Sequence, residues 1–170
     1  MAFQQVDRII HGNQKFADTS TTQHHPLGHI VQAWDSTYLT GTFIYLKGVA
    51  STVVGSWVTY NADDYSTALL VANAIGPVAV SMSINVASSY GWYQIDGKAV
   101  GKVLAGFADG GNVYGTSTAG SIDDAVVAGD RVQHAKGASA IGTPSTGLAE
   151  MEIHRPFVND ALACLLYTSP

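Results

Sequence analysis

Strict alternation of large apolar and small side chains between residues 78 and 87 is the feature that most constrains the fold. The large residues are Val78, Val80, Met82, Ile84 and Val86, and the small ones are Ala79, Ser81, Ser83, Asn85 and Ala87. Successive side chains of a strand point to opposite faces, whereas a helix would spread the large residues around its circumference. The pattern therefore predicts a strand from Val78 to Val86 with the large side chains facing the core.

Other short segments are rich in β-branched and aromatic residues and end at turn residues. They predict strands at 42–47, 56–60, 90–95, 98–104, 112–116, 125–128, 131–135 and 147–154, and a strand or a helical turn at 67–71. Asp96-Gly97 matches the preferred two-residue hairpin loop, and Arg155-Pro156 is expected to end the last strand. Short strands with glycine-rich turns predict an all-β fold, an antiparallel β-sandwich or small β-barrel.

The ends of the chain differ in composition from the middle. We expect an extended N-terminal arm at 1–27, a β-rich domain at 28–158 and a tail at 159–170 that forms a short helix or remains irregular. The arm is polar and rich in breakers, so it is expected to be extended or mobile when isolated, and its deletion to leave the domain folded. The candidate partner-contact residues of the two ends are Phe3, Ile9, Ile10, Phe16, Leu162, Leu165, Leu166 and Tyr167.

Charged side chains are scarce, and this bounds the function. They make up 12% of the residues, about half of the ~25% of an average soluble domain. The net charge of −5 argues against nucleic acid as a partner, and the uncharged stretch 65–95 is too polar to span a membrane. Proteins that live inside assemblies bury neutral surfaces against their neighbours, so the composition predicts a self-associating structural module.

No residue constellation indicates catalysis. The pairs Asp63-Asp64 and Asp123-Asp124 are typical of turn residues that bond their own backbone. His24, His25 and His29 form the only histidine cluster, and without a nearby cysteine or glutamate we interpret them as polar arm residues rather than as a metal site. We therefore expect no enzymatic activity, no metal and no cofactor.

Aromatic residues allow one binding hypothesis. A platform that stacks on sugar rings requires no charge, and its candidate residues are Trp34, Trp57, Tyr90, Trp92 and Tyr93, of which Trp57, Trp92 and Tyr93 are the first choices. The alternative is that the same rings belong to the core and to the faces of the sheet.

Four segments carry a resemblance to a known class of protein. Residues 91–97 (GWYQIDG), 103–107 (VLAGF), 128–132 (AGDRV) and 152–160 (EIHRPFVND) resemble virion structural proteins of tailed bacteriophages, similar in style to small head proteins that decorate or cement the capsid. The resemblance covers the second half of the chain. It implies a non-enzymatic protein that is made in the host cytoplasm and is found in the virion, on the capsid surface. There it would bridge major capsid proteins, often as a homo-oligomer, with a trimer favoured. Alternatives are another virion component, such as a head-completion, tail or minor capsid protein, and a carbohydrate-binding β-sandwich module.

Overall fold

Every regular element of the structure, a computed structural model that describes residues 4–5 and 14–159, is a β-strand. The strands are β1 (Gln4–Gln5), β2 (Ile30–Asp35), β3 (Leu39–Lys47), β4 (Trp57–Tyr60), β5 (Thr67–Leu69), β6 (Gly76–Ser81), β7 (Tyr90–Lys102), β8 (Asn112–Gly115), β9 (Ile122–Asp123), β10 (Arg131–Gly137) and β11 (Leu148–Val158). All pairings between these strands are antiparallel. The predicted all-β, antiparallel fold class is therefore confirmed.

The sheet follows an open path. Its strands lie in the order β1-β2-β3-β7-β6-β11-β10-β8-β9, and β4 pairs with β6 and β5 beside this path. β1 and β9 stand at opposite ends, and no strand pairing within 4–5 and 14–159 joins them. Of the two architectures considered from the sequence, a closed barrel is therefore not formed.

Most of the predicted strands are present. Strands were expected at 42–47, 56–60, 112–116 and 131–135, where β3, β4, β8 and β10 lie, and the ambiguous run at 67–71 contains β5. The short strand expected at 125–128 is absent. The residues that pair with β8 lie slightly earlier in the chain, in β9.

β7 passes without interruption through Asp96 and Gly97, so the predicted hairpin is wrong. Residues before this point pair with β3, and those after it pair with β11. Gly97 has a φ of +93°, and a Cβ there would lie 2.4 Å from the carbonyl oxygen of Thr40. Glycine is therefore required for a close approach between strands, and long-range pairing replaces the local turn that this dipeptide favours.

The strand predicted from Val78 to Val86 is only partly present. β6 ends at Ser81, and the chain then leaves the sheet. Beyond that point the expected faces are exchanged: Ile84 is 54% exposed, whereas Ser83 and Asn85 are buried. The alternation therefore predicts the inward side chains correctly only as far as Met82, which is buried.

Hydrogen bonds explain why the small polar residues are inside. The Ser81 hydroxyl donates to the carbonyl oxygen of Ser83 at 2.7 Å, and the side-chain amide of Asn85 donates to Ser81 Oγ at 3.3 Å. The Ser83 hydroxyl lies 3.0 Å from both Asn85 Oδ1 and the carbonyl oxygen of Asp18. Buried polar groups are tolerated when they are paired in this way, so the segment folds inward around its polar side chains.

β11 continues through Arg155 and Pro156, which were expected to end it. Arg155 has a φ of +47°, and the alternation of burial changes phase there, so that Ile153 is buried and Phe157 is exposed. Phe157 pairs with Pro77 of β6. The irregularity at Arg155 is a β-bulge, which bends the strand, so that β11 pairs with β7 before it and with β6 after it.

Within residues 14–159, the buried side chains form three core clusters. One lies between β4, β6 and the strands β7 to β11, and includes Trp57, Val80, Phe107 and Met151. The other two lie on opposite faces of β3 and the first half of β7: Phe43, Tyr45 and Trp92 on one side, and Ile44, Tyr93 and Ile95 on the other. These two strands are therefore covered on both faces.

Candidate functional site

The three aromatic residues that were the first choices for sugar binding are all in the core. Trp57, Trp92 and Tyr93 are buried, each in a different cluster, and burial raises the pKa of the Tyr93 hydroxyl to about 12. A ring that is closed to solvent offers no face to a sugar, so their placement agrees with the interpretation as core residues. Trp34 of β2, by contrast, is 46% exposed.

Phe16, the one candidate partner-contact residue that is described, makes an internal contact. Its ring centroid lies 4.4 Å from that of Phe43 and 5.4 Å from that of Trp92. Residues 14–28, which we call the docked segment, lie against this face, and the carbonyl oxygen of Gln14 accepts a hydrogen bond from Trp92 Nε1 at 3.2 Å. The described part of the predicted arm is therefore integral to the fold.

The remaining candidate contact residues are not tested by the structure. Phe3, Ile9, Ile10, Leu162, Leu165, Leu166 and Tyr167 lie outside the described residues, as does the expected C-terminal helix.

Replacing Phe16 tests whether the docked segment stabilises the domain. We expect Phe16→Ala to lower the free energy of unfolding by about 2 kcal/mol, less than for a fully buried phenylalanine because this ring is half-buried. The measurement is urea denaturation, with the exposed neighbour Lys15→Ala as the control expected to change stability by less than about 0.5 kcal/mol. Equal midpoints for both variants would support the expectation from the sequence that 1–27 is dispensable for folding.

His25 is the buried member of the histidine cluster. It is 6% exposed, and its ring centroid lies 4.9 Å from that of Trp92 and 5.0 Å from that of Tyr45. Burial lowers the pKa of His25, and the neighbouring His29 and His24 lower it further. The expectation of polar arm residues is therefore wrong for His25, which packs as an aromatic ring.

The histidine rings are arranged for packing rather than for a common ligand. The rings of His25 and His29 are nearly parallel, with centroids 6.0 Å apart, while His24 Nε2 lies 3.1 Å from Ser20 Oγ. Across the described part of the chain, no three histidine, cysteine or acidic side chains are grouped so that they could hold a metal ion.

The pair Asp63-Asp64 serves a turn, as expected. Asp64 Oδ1 accepts hydrogen bonds from the backbone and the hydroxyl of Ser66, at 3.0 and 2.7 Å, which lower the pKa of Asp64. Asp124 Oδ2 accepts from the backbone N–H of Ala108 at 3.0 Å. Asp123 Oδ1 accepts a hydrogen bond from the backbone N–H of Asp124 at 2.9 Å, so Asp123 bonds its neighbouring backbone, whereas Asp124 contacts a loop 16 residues earlier in the chain.

An apolar surface that the sequence did not predict crosses three strands. Phe157 is the direct partner of Pro77 on one side and of Gln133 on the other, and directly paired residues share a face of the sheet. Ile75 lies beside Pro77, and Val126 and Val127 lie on the side of Gln133. We define the apolar band by these residues: Ile75, Pro77, Phe157, Val126 and Val127.

The apolar band is well exposed and carries little charge. Val126 is 79% exposed, Ile75 68% and Phe157 40%. Two open grooves of about 380 and 250 Å³ include Pro77 and Gln133, the direct strand partners of Phe157, and Arg131 is the only charged residue among those that line them. The band therefore suits contact with a broad protein surface better than capture of a small charged molecule.

Arg155 is exposed at the bulge beside the apolar band, and the other charged side chains of this face of β11 lie farther along the strand. Glu150 forms an ion pair with Lys98 at 2.7 Å, and His154 Nδ1 lies 3.4 Å from Asp96. The outward face of β11 thus changes from ionic to apolar at the bulge. A fixed alternation cannot show that Phe157 lies on this face, so sequence reasoning missed it.

Comparisons with protein-family models, with curated proteins and with solved structures find no match to this chain. Within the described residues, no helix is long and apolar enough to cross a membrane.

Proposed function

We propose that this chain is a non-enzymatic structural protein of the virion, of the decoration type. It binds the outer surface of a tailed-phage capsid and stabilises the shell by bridging major capsid proteins. The apolar band carries this proposal, because it is an exposed, charge-poor surface in a chain with 12% charged residues. Contact with a shell through such a surface requires little desolvation of charge.

Shallow grooves favour attachment through many repeated contacts. Both grooves beside the apolar band are open to solvent, whereas a small-molecule site buries most of the surface of its ligand. A homo-oligomer, with a trimer as the expected state, presents several copies of the band to a symmetric shell. Linked contacts then strengthen binding beyond the affinity of each one.

The decisive experiment compares two matched substitutions in a capsid-binding assay. Ile75→Asp places a charge in the apolar band, and Ile84→Asp places the same charge at an exposed isoleucine in the loop after β6. With purified tailed-phage capsids that lack their decoration protein, we expect Ile75→Asp to weaken co-sedimentation at least tenfold, because the carboxylate is desolvated on contact, about 1.4 kcal/mol or more. Ile84→Asp should bind like the unaltered chain.

Other outcomes would reject the proposal or would place the capsid-binding surface elsewhere on the protein. Absence of binding by the unaltered chain to intact and to expanded capsids would end the capsid assignment. Equal loss in both variants would mean that binding does not depend on the apolar band. A glycan-array signal that Trp34→Ala abolishes would favour the carbohydrate-binding alternative.

A further inference from the structure

His25 occupies an apolar cage on the docked segment. Its ring lies against Trp92 of β7 and Tyr45 of β3. Phe16, near the start of the docked segment, packs against Trp92 and Phe43 on the same side of the sheet. The buried Nε2 of His25 has no hydrogen-bond partner among the described residues. The neutral ring is therefore packed as an aromatic side chain, and no described group accepts a hydrogen bond at its Nε2.

The elements packed against His25 bring only a few ionisable groups close to its ring. The docked segment contributes His24, the residue that follows it is His29, and β3 contributes Tyr45, while the contact from β7 is the uncharged ring of Trp92. No carboxylate is among these contacts. A cationic His25 would therefore meet further histidines and aromatic rings, without an anion to compensate its desolvation.

Neutral contacts hold the rest of the docked segment in place. The Tyr45 hydroxyl donates to Gln14 Oε1 at 2.6 Å, Gln14 Nε2 donates to the carbonyl oxygen of Tyr90 at 2.7 Å, and Trp92 Nε1 donates to the backbone of Gln14. Ser20 and Tyr90 exchange two backbone hydrogen bonds, at 2.7 and 3.1 Å. None of these contacts strengthens when the solution becomes acidic, so they do not offset a charge on His25.

We propose that His25 is a pH-sensitive latch: protonation of its caged ring releases the docked segment from the face formed by β3 and β7. The released state lets the imidazolium reach water and uncovers Trp92 and Phe43. This inference does not depend on capsid attachment, and either proposal can fail without the other.

The direction of the pH effect follows from the lowered pKa of His25 in the folded chain. Above the ordinary histidine value of about 6.5, the ring is neutral in both states and the segment stays docked. As the pH falls below that value, His25 binds a proton more readily in the released state than in the docked state, so the population of the released state grows. The gain is up to tenfold per pH unit, and it ends at the lower pKa of the docked state.

Hydrogen exchange of the Trp92 indole N–H measures this release directly, because that group is bonded to Gln14 in the docked state. We would record indole exchange by NMR from pH 7.5 to 5.0, and divide each rate by the rate in His25→Phe at the same pH. This ratio should rise below pH 6.5, by up to tenfold per unit. The Trp57 indole N–H, buried in another cluster, reports global unfolding, and its ratio should rise less.

Two controls separate the latch from general acid sensitivity. His154→Gln changes an exposed histidine paired with Asp96, and it should leave the rise intact. If His25→Phe does not fold, titration of the His25 ring in the unaltered chain decides. A flat exchange ratio, or a His25 that is protonated at pH 6.5 or above while Trp92 remains protected, would overturn the latch.

Discussion

Val80→Asp is expected to unfold the domain at neutral pH. Val80 is fully buried, with Trp57 and Gln94 as its direct partners on the two neighbouring strands. The side-chain amide of Gln94 already donates to the carbonyl oxygens of Asp96 and Lys98, so it is not free to pair with a new carboxylate. An unpaired buried charge costs more than about 4 kcal/mol, against a total stability of roughly 5–15 kcal/mol.

Ile84→Asp is the matched control for this prediction. The two positions share the alternating sequence pattern, but Ile84 is exposed where the chain has left the sheet. We expect Ile84→Asp to change the free energy of unfolding by less than about 0.5 kcal/mol. Circular dichroism and urea denaturation of the pair give the test: two unfolded variants would support the longer strand that the sequence predicts, and two folded variants would contradict the burial of Val80.

Gly91→Ala is expected to destabilise the domain by about 3 kcal/mol, although the change adds one methyl group. An ideal Cβ at Gly91 would lie 2.0 Å from Asn85 Oδ1 and 2.5 Å from Cγ and Nδ2. Asn85 is buried and bonded to Ser81 and Ser83, so it cannot withdraw without losing those bonds. Overpacking and a disrupted buried polar group each cost about 1–3 kcal/mol.

A double-mutant cycle assigns this cost to the contact. Asn85→Ala removes the atoms that the new methyl group would meet, so the double variant should lose less stability than the sum of the two single changes. Gly115→Ala, where the nearest atom to a new Cβ is 3.2 Å away, is the roomier glycine control and should cost less. Additive losses from Gly91→Ala and Asn85→Ala would show that the two positions do not touch.

The candidate surface was less predictable than the fold class. Phe157 follows Pro156, which was expected to end the last strand, and the bulge at Arg155 shifts the phase of burial. A fixed two-residue period cannot include such an insertion. Ile75, Val126 and Val127 belong to segments that join Phe157 only through the pairing of β6, β10 and β11. No local sequence signal indicates that these residues form one surface.

The attachment of the docked segment to the sheet could not be predicted from local sequence signals either. Its polar composition is typical of an irregular segment, and it contains no strand. Composition does not show that Phe16 and His25 find a partner in Trp92, far along the chain. A few large side chains and backbone hydrogen bonds attach the segment to the sheet. Because composition averages over all residues of the segment, it does not reveal these few contacts.

The sequence by itself determined that this chain is all-β and antiparallel, that most strands lie where β-branched and aromatic residues cluster, and that the surface is poor in charge. These properties are local or additive, so residue order and composition are sufficient to predict them. Only the tertiary structure decided that β7 runs through Asp96-Gly97, that Asn85 is inside while Ile84 is outside, and that Phe157 joins an exposed apolar band. Each depends on hydrogen bonds or packing with strands distant in sequence, and such contacts override local turn and alternation preferences.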